Sequence, residues 1–321
     1  MSILKFIKNW TLPVSMMLGA LSYVAYRELA CIHSWGPMLW DVVGVVQPFL
    51  IFMMLFITFC KMDTRQLRPT LMHLWLLLLQ VIAFLLAAWI SHGLPYGWNM
   101  TIEAFMICMI CPTATAGVVV TAKLGGDAES LTVYTILVNL TVAFLIPAVI
   151  PLLHPHAQWR FVTAFLLIVS RVFPTLIFPL LAALLARKCM PRFHQAICSR
   201  KDLAFHLWSV SLALAIAMTV RSLYHNHTSL WILAGIALSS LLSCVLQFWA
   251  GRKIGLHYHQ PIAAGQSLGQ KNTVFAIWMG YTFLNPVVSV AGGFYSIWHN
   301  VYNSWQLAEK RKRDARAVPK G

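Results

Sequence analysis

The feature that most constrains this chain is a series of ten apolar stretches, each about as long as a bilayer is thick. A helix rises ~1.5 Å per residue, so about 20 apolar residues cross the hydrocarbon core. The chain is 10% charged, whereas soluble domains have roughly a quarter charged residues. The sequence therefore predicts an all-α polytopic membrane protein. We place its spans at 9–27, 41–60, 70–92, 98–123, 129–153, 161–186, 203–223, 229–250, 259–284 and 286–306.

Basic residues are distributed unevenly between the two sides of this arrangement. With the amino terminus in the cytoplasm, 19 of the 24 Lys and Arg residues fall in cytoplasmic segments, and only Arg27, Arg160 and Arg221 fall outside. The positive-inside rule demands this asymmetry, so we expect both termini in the cytoplasm, with the inner membrane of a bacterium as the location. The basic tail 310–321 then lies beside anionic lipid, and nucleic-acid binding is not expected despite the net charge of +15.

One cation lies inside an apolar span. Lys271 follows two glycines and a polar cluster in the sequence GQSLGQKNT, which begins at Gly265, and it is about 18 Å from the start of its span at ~1.5 Å per residue. An ammonium at this depth is costly and normally faces a polar cavity or a partner. The glycines and polar residues around it predict that the helix is interrupted there.

The two halves of the chain show weak signs of an internal repeat. Five spans lie in residues 1–155 and five in 156–309, and an odd number of spans inverts the orientation of the second half. A polar, proline-containing interruption at Pro112 precedes the Lys271 interruption by 159 residues (271 − 112). Paired interruptions of this kind indicate a substrate site between inverted repeats, and the alternative is two kinked packing helices.

Four segments in this order resemble the bile acid:sodium symporter superfamily of secondary transporters. Residues 111–118, CPTATAGV, are similar to the family's span-four motif C-P-G-G-T-A-S-N, and Gln80 matches a span-three glutamine. Residues 267–272, SLGQKN, resemble its span-nine motif E-x-G-x-Q-N, and 294–300, FYSIWHN, resemble its F-S-V-W-H-N segment. The resemblance covers residues 41–306. It implies a core domain with two crossed discontinuous helices, a smaller panel domain, and a substrate site where the two domains face each other.

The chain departs from this family where its members hold sodium. The resemblance implies oxygen ligands from spans three, four, five and nine, the ligand type that a hard cation requires. In this chain the Ser-Asn pair of span four, one span-five hydroxyl, and the carboxylate and the glutamine of span nine are lost. The corresponding cation-site region consists of Gln80 and Thr135, which are kept, Gly117, Val118, Ser267, Lys271 and its neighbour Gln270, with Leu131 at a span-five hydroxyl position. Sodium coupling of the family type is therefore not expected.

Lys271 allows several interpretations. Its ammonium occupies the cation region, where it stabilises the carbonyls of the interrupted helices or leaves a positive potential for an anionic substrate. Alternatively, it gains and loses a proton during transport. A purely structural role, by pairing with a carboxylate or reaching the interface, is the third alternative. Glu103 and Arg171 are the candidate charge partners, although Glu103 also fits an interfacial, solvated position, and Arg171 an inter-domain or outer-interface position.

The resemblance also implies a set of substrate-binding residues. These are Thr113, Thr115, Asn272, His299 and Asn300. His299 has the alternative of being a core histidine that donates to a carbonyl.

Taken together, these patterns predict a secondary active transporter that moves a small organic anion of the carboxylate type by alternating access. The alternatives are a proton-coupled carrier and a passive channel or receptor. An enzyme is not expected, since the sequence contains no Ser-His-Asp set. No cofactor is expected, and the spacing of Cys189, His194 and Cys198 is only weakly typical of a metal site.

Overall fold

The computed structural model describes residues 11–28, 36–62, 68–154, 161–200, 203–226 and 228–317. The predicted tail residues 318–321, the amino-terminal residues 1–10 and Arg160 lie outside these ranges. The described α-helices are α1 Thr11–Glu28, α2 Gly36–Cys60, α3 Leu71–His92, α4 Trp98–Ile110, α5 Ala116–Leu124, α6 Ala128–Leu153, α7 Phe161–Leu176, α8 Phe178–Cys189, α9 Pro191–Ser199, α10 Leu203–Asn226, α11 Leu230–His257, α12 Pro261–Gly269, α13 Thr273–Phe283 and α14 Val290–Ala317. A 3₁₀ turn, Pro286–Ser289, precedes α14.

Within these ranges, 6 helical segments are long and apolar enough to cross a membrane. They are Met38–Cys60, Leu71–His92, Ala128–Leu153, Phe161–Cys189, Leu203–His225 and Leu230–His257. The shorter apolar helices α4 and α13 contain 13 and 11 residues. The prediction of an all-α polytopic membrane protein is confirmed, whereas the total of ten spans stays a prediction.

The two interruptions expected from the sequence are present, and a third predicted span, 161–186, is also divided, into α7 and α8 with Ile177 between them. Span 98–123 forms α4 and α5, and span 259–284 forms α12 and α13. At the carboxyl end, α14 continues through Ala317, so that the first residues of the predicted basic tail are helical. The tail therefore begins as a rigid extension of the last predicted span.

A tight turn connects α5 to α6 and fixes the position of α5. Gly125 ends α5 with a φ of 82°, a left-handed conformation that glycine adopts without strain. Asp127 then caps α6, because its Oδ1 accepts hydrogen bonds of 2.9 Å from the backbone N–H groups of Glu129 and Ser130. The turn thus satisfies backbone groups that the end of one helix and the start of the next leave free.

The helices pack in two groups. α1, α2, α7, α8 and α10 contact one another and form what we call the panel group. α3 to α6 and α11 to α14 form the core group, which contains both interrupted spans. The groups meet where α6 contacts α7 and where α10 contacts α13 and the 3₁₀ turn. The expected panel and core domains, their assignment to these two groups and their relative movement stay predictions.

Glycines bring α11 and α12 into close contact. A Cβ added at Gly251 would lie 2.5 Å from the carbonyl oxygen of Ala264, and one added at Gly255 would lie 2.6 Å from that of Gln260. Small residues allow such an approach between membrane helices, where van der Waals packing rather than the hydrophobic effect holds the helices together. α11 therefore supports α12, the half-helix that leads to Lys271.

Candidate functional site

The two interrupted spans cross at their breaks and bond to each other through the backbone. Thr113 and Lys271 form an isolated antiparallel bridge. The backbone N–H of Ala114 donates to the carbonyl of Gln270 at 2.7 Å, and that of Asn272 donates to the carbonyl of Pro112 at 2.8 Å. Backbone groups that an interruption frees inside a membrane need such partners. The predicted crossing is therefore present and is held by main-chain hydrogen bonds.

Four half-helix ends meet at this crossing. α4 and α12 end there with their carbonyl groups, and α5 and α13 begin there with their N–H groups. Carboxyl ends carry partial negative charge and amino ends partial positive charge, so the crossing presents both to one small region. Asn272 caps α13, because its Oδ1 accepts from the backbone N–H of Phe275 at 3.2 Å.

Lys271 is buried at the crossing, and its ammonium lacks a partner. The residue is 1% exposed. Its Nζ has no hydrogen-bond partner among the described residues, and no ion pair in those ranges includes it. The ionisable groups that interact with it electrostatically are the thiols of Cys108 and Cys111 rather than a carboxylate. The site therefore contains a buried amino group whose hydrogen-bond donors are unused.

Gln80 of the predicted cation region supports the end of α4. Its Nε2 donates to the carbonyl of Ile110 at 2.9 Å, and its Oε1 accepts from the hydroxyl of Tyr134 at 2.6 Å. Both side chains are fully buried. Gln80 thus has a structural role at the crossing, as a cap for the last carbonyls of a half-helix.

A second glutamine–tyrosine pair, which the sequence analysis did not identify, supports the end of α12. The hydroxyl of Tyr295 donates to the carbonyl of Gly269 at 2.9 Å. Gln247 Nε2 donates to that hydroxyl at 3.1 Å and to the carbonyl of Cys108 at 3.2 Å. The signal available in the sequence was Gln247 itself, a polar residue within an apolar span.

The remaining positions of the predicted cation region offer few oxygen atoms to an ion. The hydroxyl of Thr135 donates to Leu131 in its own helix at 2.9 Å. Ser267 is fully buried, and its hydroxyl has no partner in the described part of the chain. Gly117 is buried and Val118 is half-buried, and neither has a polar side chain. The structure therefore brings these residues near the crossing without forming an obvious cation cage.

Gln270 points to a different cluster. Its Oε1 accepts from the amide of Asn303, and Asn303 in turn accepts from Gln266 Nε2 at 2.9 Å. Gln306 accepts from the same Gln266 amide at 3.3 Å. This buried amide cluster connects α12 to α14 and was not predicted. The sequence hinted at it only through the spacing of Gln266 and Gln270 on one helix face.

The five predicted substrate residues differ in how available they are. The hydroxyl of Thr113 donates to the carbonyl of Ser267 at 2.8 Å, so both Thr113 and the capping residue Asn272 already bond within the crossing. Thr115 is half-buried.

His299 is 4% exposed, its ring centre lies 5.6 Å from that of Tyr295, and its Nδ1 has no partner in the described ranges. Asn300 is half-buried and donates to Ser296 at 2.7 Å.

Neither candidate charge partner pairs with Lys271. Glu103 is 3% exposed, so its interpretation as a solvated carboxylate is wrong. Its Oε1 lies 3.2 Å from Nε2 of His154, because the end of α6 returns beside the start of α4. Arg171 is exposed on α7 and has no carboxylate within ion-pair distance in the part of the chain that the structure describes.

The predicted loop residues Cys189, His194 and Cys198 do not form a metal site. Across the described ranges, no three His, Cys, Asp or Glu side chains are grouped so as to hold a metal ion. His194 instead lies 2.9 Å, through Nε2, from the carbonyl of Cys60. His194 and Cys198, which both contact that carbonyl, therefore help to join α9 to the end of α2.

Long apolar helices, two of them interrupted and crossed at a buried cation, define an integral membrane protein of the transporter class. The chain belongs to the sodium bile acid symporter family, whose model matches residues 48–228, more than half of the 321 residues. It is 23% identical over 253 residues to the uncharacterized sodium-dependent transporter YocS of Bacillus subtilis (strain 168), which covers 74% of this chain and 76% of that protein. The predicted family is confirmed. The matched range contains the first interruption and ends before Lys271.

Proposed function

We propose that the protein is a secondary transporter that carries a small organic anion of the carboxylate type by alternating access, without sodium. Lys271 is the central residue of this proposal. Its ammonium attracts the carboxylate of the substrate at the crossing, in the region where sodium-coupled relatives hold a cation.

The observation that carries the proposal is the unpartnered Nζ of Lys271. An ammonium at 1% exposure would normally be paired, because burying a charge without a partner is costly. Of the two roles expected for the built-in cation, this favours the second: the ammonium is held in reserve for a ligand rather than bonded to the carbonyls of the half-helices. A carboxylate that reached Nζ would form a charge-assisted hydrogen bond, the strong type of hydrogen bond.

The same charge opposes sodium binding. A sodium ion 4 Å from the ammonium would face about 4 kcal/mol of repulsion at an effective dielectric constant of ~20. The glutamine that remains from the family's ligand set, Gln80, is already engaged, because its Oε1 accepts from Tyr134 at 2.6 Å. The crossing does not require an ion to hold it, since main-chain bonds and the two glutamine–tyrosine pairs support its ends.

The two glutamine–tyrosine pairs also support the proposed inverted repeat. Gln80 and Tyr134 lie on the third and fifth predicted spans, and Gln247 and Tyr295 lie on the eighth and tenth. Each pair caps the half-helix of its own half of the chain, at Ile110 in the first and at Gly269 in the second. Alternating access then follows from movement of the panel group against the core group around the crossing. The charge bias along the chain supports cytoplasmic termini and an inner-membrane location.

Because the Bacillus relative is described as sodium-dependent, the experiment must test for sodium coupling first. A thermal-shift screen of organic acids, performed in sodium and in choline, first identifies a carboxylate that stabilises the purified protein. Counterflow of that acid into liposomes then measures transport. We expect saturable counterflow of equal rate in both salts, and a loss of about tenfold or more in Lys271→Gln, because a charged hydrogen bond contributes roughly 1.5–3 kcal/mol.

The matched variant restores the family's two span-nine ligands. In Ser267→Glu/Lys271→Gln, the two span-nine positions carry the residues of sodium-coupled relatives, and we expect sodium to stabilise this variant and not the natural protein. Stabilisation of the natural protein by sodium alone would reject the proposal. Ohmic conductance in the liposomes, instead of saturable counterflow, would identify a channel.

The unpartnered ammonium also favours a second candidate, a proton-coupled carrier in which Lys271 releases its proton during each cycle. An imposed pH gradient distinguishes the two. Lys271→Arg keeps the charge but does not release its proton, since a guanidinium stays protonated. Uptake driven by the pH gradient in the natural protein and abolished in Lys271→Arg would establish proton coupling. Uptake that does not depend on the pH gradient would indicate that the ammonium stays protonated throughout the transport cycle.

A further inference from the structure

A cavity of about 520 Å³ lies at the ends of three panel-group helices, and none of its lining residues belongs to the crossing. Its walls are Tyr26, Gly36, Trp40, Asp41, Arg221 and His225, from the end of α1, the start of α2 and the end of α10. All three of these helix ends are on the side that the charge bias predicts to be outside. Cavities of roughly 300–1,000 Å³ hold small organic ligands.

Arg221 is the residue in this cavity that is best placed to bind an anion. Its guanidinium carbon lies 4.2 Å from the centre of the Trp40 ring, which fixes the plane of the group. Its Nη1 donates to the hydroxyl of Tyr281 at 2.9 Å. A guanidinium has five N–H donors, and the structure assigns one of them, so further donors are available to a carboxylate.

The backbone behind Arg221 is also held in place. Nδ1 of His225 lies 3.0 Å from the carbonyl oxygen of Arg221 and 3.3 Å from the hydroxyl of Tyr23. These contacts connect the end of α10 to α1. His225 and Tyr23 thus hold the backbone that carries the Arg221 side chain.

Positive charge is unusual on this side of the protein. The positive-inside rule disfavours basic residues in outer segments, and the predicted topology contains three of them. Two of the three, Arg27 and Arg221, lie at this end of the panel group. Arg27 stacks 3.9 Å from the ring of Tyr224, the neighbour of the wall residue His225. Arg27 is paired with Glu28 at 3.6 Å and does not line the cavity, so Arg221 is the cation of the cavity wall.

The cavity is connected to the crossing through α13. Tyr281, the partner of Arg221, lies on that half-helix ten residues after Lys271 (281 − 271), which corresponds to about 15 Å along a helix. Since α10 belongs to the panel group and α13 to the core group, the Arg221–Tyr281 bond joins the two groups above the crossing. Arg221 therefore bonds near one end of the half-helix whose other end begins beside Lys271.

We propose that this cavity is an entry site, in which Arg221 binds the carboxylate of the substrate before it reaches Lys271. The inference rests on the proposed transport of carboxylates. Asp41 allows a test of whether the ligand is an anion. Its exposed carboxylate lines the same cavity without an ion-pair partner in the described residues, so it weakens the binding of an anion and favours its release.

The test uses benzoate as the probe and benzamide as its uncharged analogue, and it measures binding rather than transport. Thermophoresis of the purified full-length protein is performed on Lys271→Met, in which the crossing has lost its charge, and on the natural protein. We expect Arg221→Gln to weaken benzoate binding about tenfold, as loss of a charged hydrogen bond implies. Asp41→Asn should tighten it about two- to threefold, the scale of a partly screened surface charge. Benzamide binding should respond to neither substitution.

Two control variants accompany these measurements. Arg221→Lys keeps the charge and should retain most of the affinity for benzoate. Tyr281→Phe removes the hydrogen bond between the panel group and the core group but leaves Arg221 in the cavity, so this variant should bind benzoate normally. Equal benzoate affinities in Lys271→Met and Lys271→Met/Arg221→Gln, or no saturable benzoate binding, overturn the entry site. Weaker binding in Asp41→Asn also overturns it, since that result indicates a zwitterionic or cationic ligand. Failure of carboxylate counterflow would instead reject the proposed function, because counterflow does not enter this measurement.

Discussion

Replacing Lys271 by methionine should make the protein more stable and at the same time inactive. Methionine is similar in length to lysine, is unbranched, and fills apolar space readily. The substitution removes an ammonium that is 1% exposed and has no hydrogen-bond partner among the described residues. The side chain therefore gains from losing its charge, while the main-chain bonds of residue 271 stay intact.

The expected size of the effect follows from two opposing contributions. Burying an ammonium costs several kcal/mol after relaxation. The carbonyl ends of α4 and α12 offset part of that cost, by about 0.3–1 kcal/mol each and ~2 kcal/mol in favourable geometries. The difference leaves about 1–3 kcal/mol of stabilisation in Lys271→Met. For a chain larger than 250 residues, each kcal/mol raises the unfolding midpoint by roughly 2 °C, so we expect a rise of about 2–6 °C.

The assay is thermal unfolding of the purified protein in detergent, together with counterflow in liposomes. Lys271→Arg is the control, because it keeps a buried cation and should not raise the midpoint. A lower midpoint in Lys271→Met would refute the reasoning. It would show that the ammonium stabilises the half-helix carbonyls, as sodium does in sodium-coupled members of this family, and that its donors are not in reserve.

Three further substitutions test the packing around the site. Tyr134→Phe leaves Oε1 of Gln80 buried without its donor, and should lower the free energy of unfolding in denaturant by about 1–3 kcal/mol; no loss would mean that water replaces the hydroxyl. Gly251→Ala places a methyl group against a backbone oxygen and should cost about 1–3 kcal/mol in the same measurement, whereas Gly44→Ala, where nothing lies within 4 Å, should cost nothing. Asp127→Ala removes a helix cap and should cost about 1 kcal/mol, and rescue by Asp127→Ser would identify capping as the cause.

The interruptions of the two spans were predictable because their signals are local. Pro112 removes a backbone donor, and glycine and polar residues flank Lys271, so the sequence around each break disfavours a continuous helix. The direct bonding of the two breaks was expected only through the family resemblance. The absence of a partner for the ammonium, within the described residues, depends on what every neighbouring helix brings to that point, and a one-dimensional pattern does not contain this information.

The error on Glu103 and the oversight of Gln247 and Tyr295 have the same origin. The position of Glu103 near the start of a span suggested contact with water, but His154, 51 residues later (154 − 103), lies beside it in the fold. Gln247 and Tyr295 act together on the carbonyl of Gly269, although the sequence shows only a polar residue within an apolar span and an ordinary aromatic residue. Their joint role arises from a tertiary contact that neither segment indicates by itself.

The antiparallel bridge at the crossing has a consequence for how such transporters diversify. Backbone bonds on either side of residue 271, from Ala114 to Gln270 and from Asn272 to Pro112, hold the main chain whatever side chain it carries. The side chain at position 271 can therefore change while the main chain at the crossing stays in place. A change from glutamine to lysine there can alter the source of positive charge in a single evolutionary step, without first redesigning the scaffold. Related chains with the same crossing are thus free to differ in the ion that drives them.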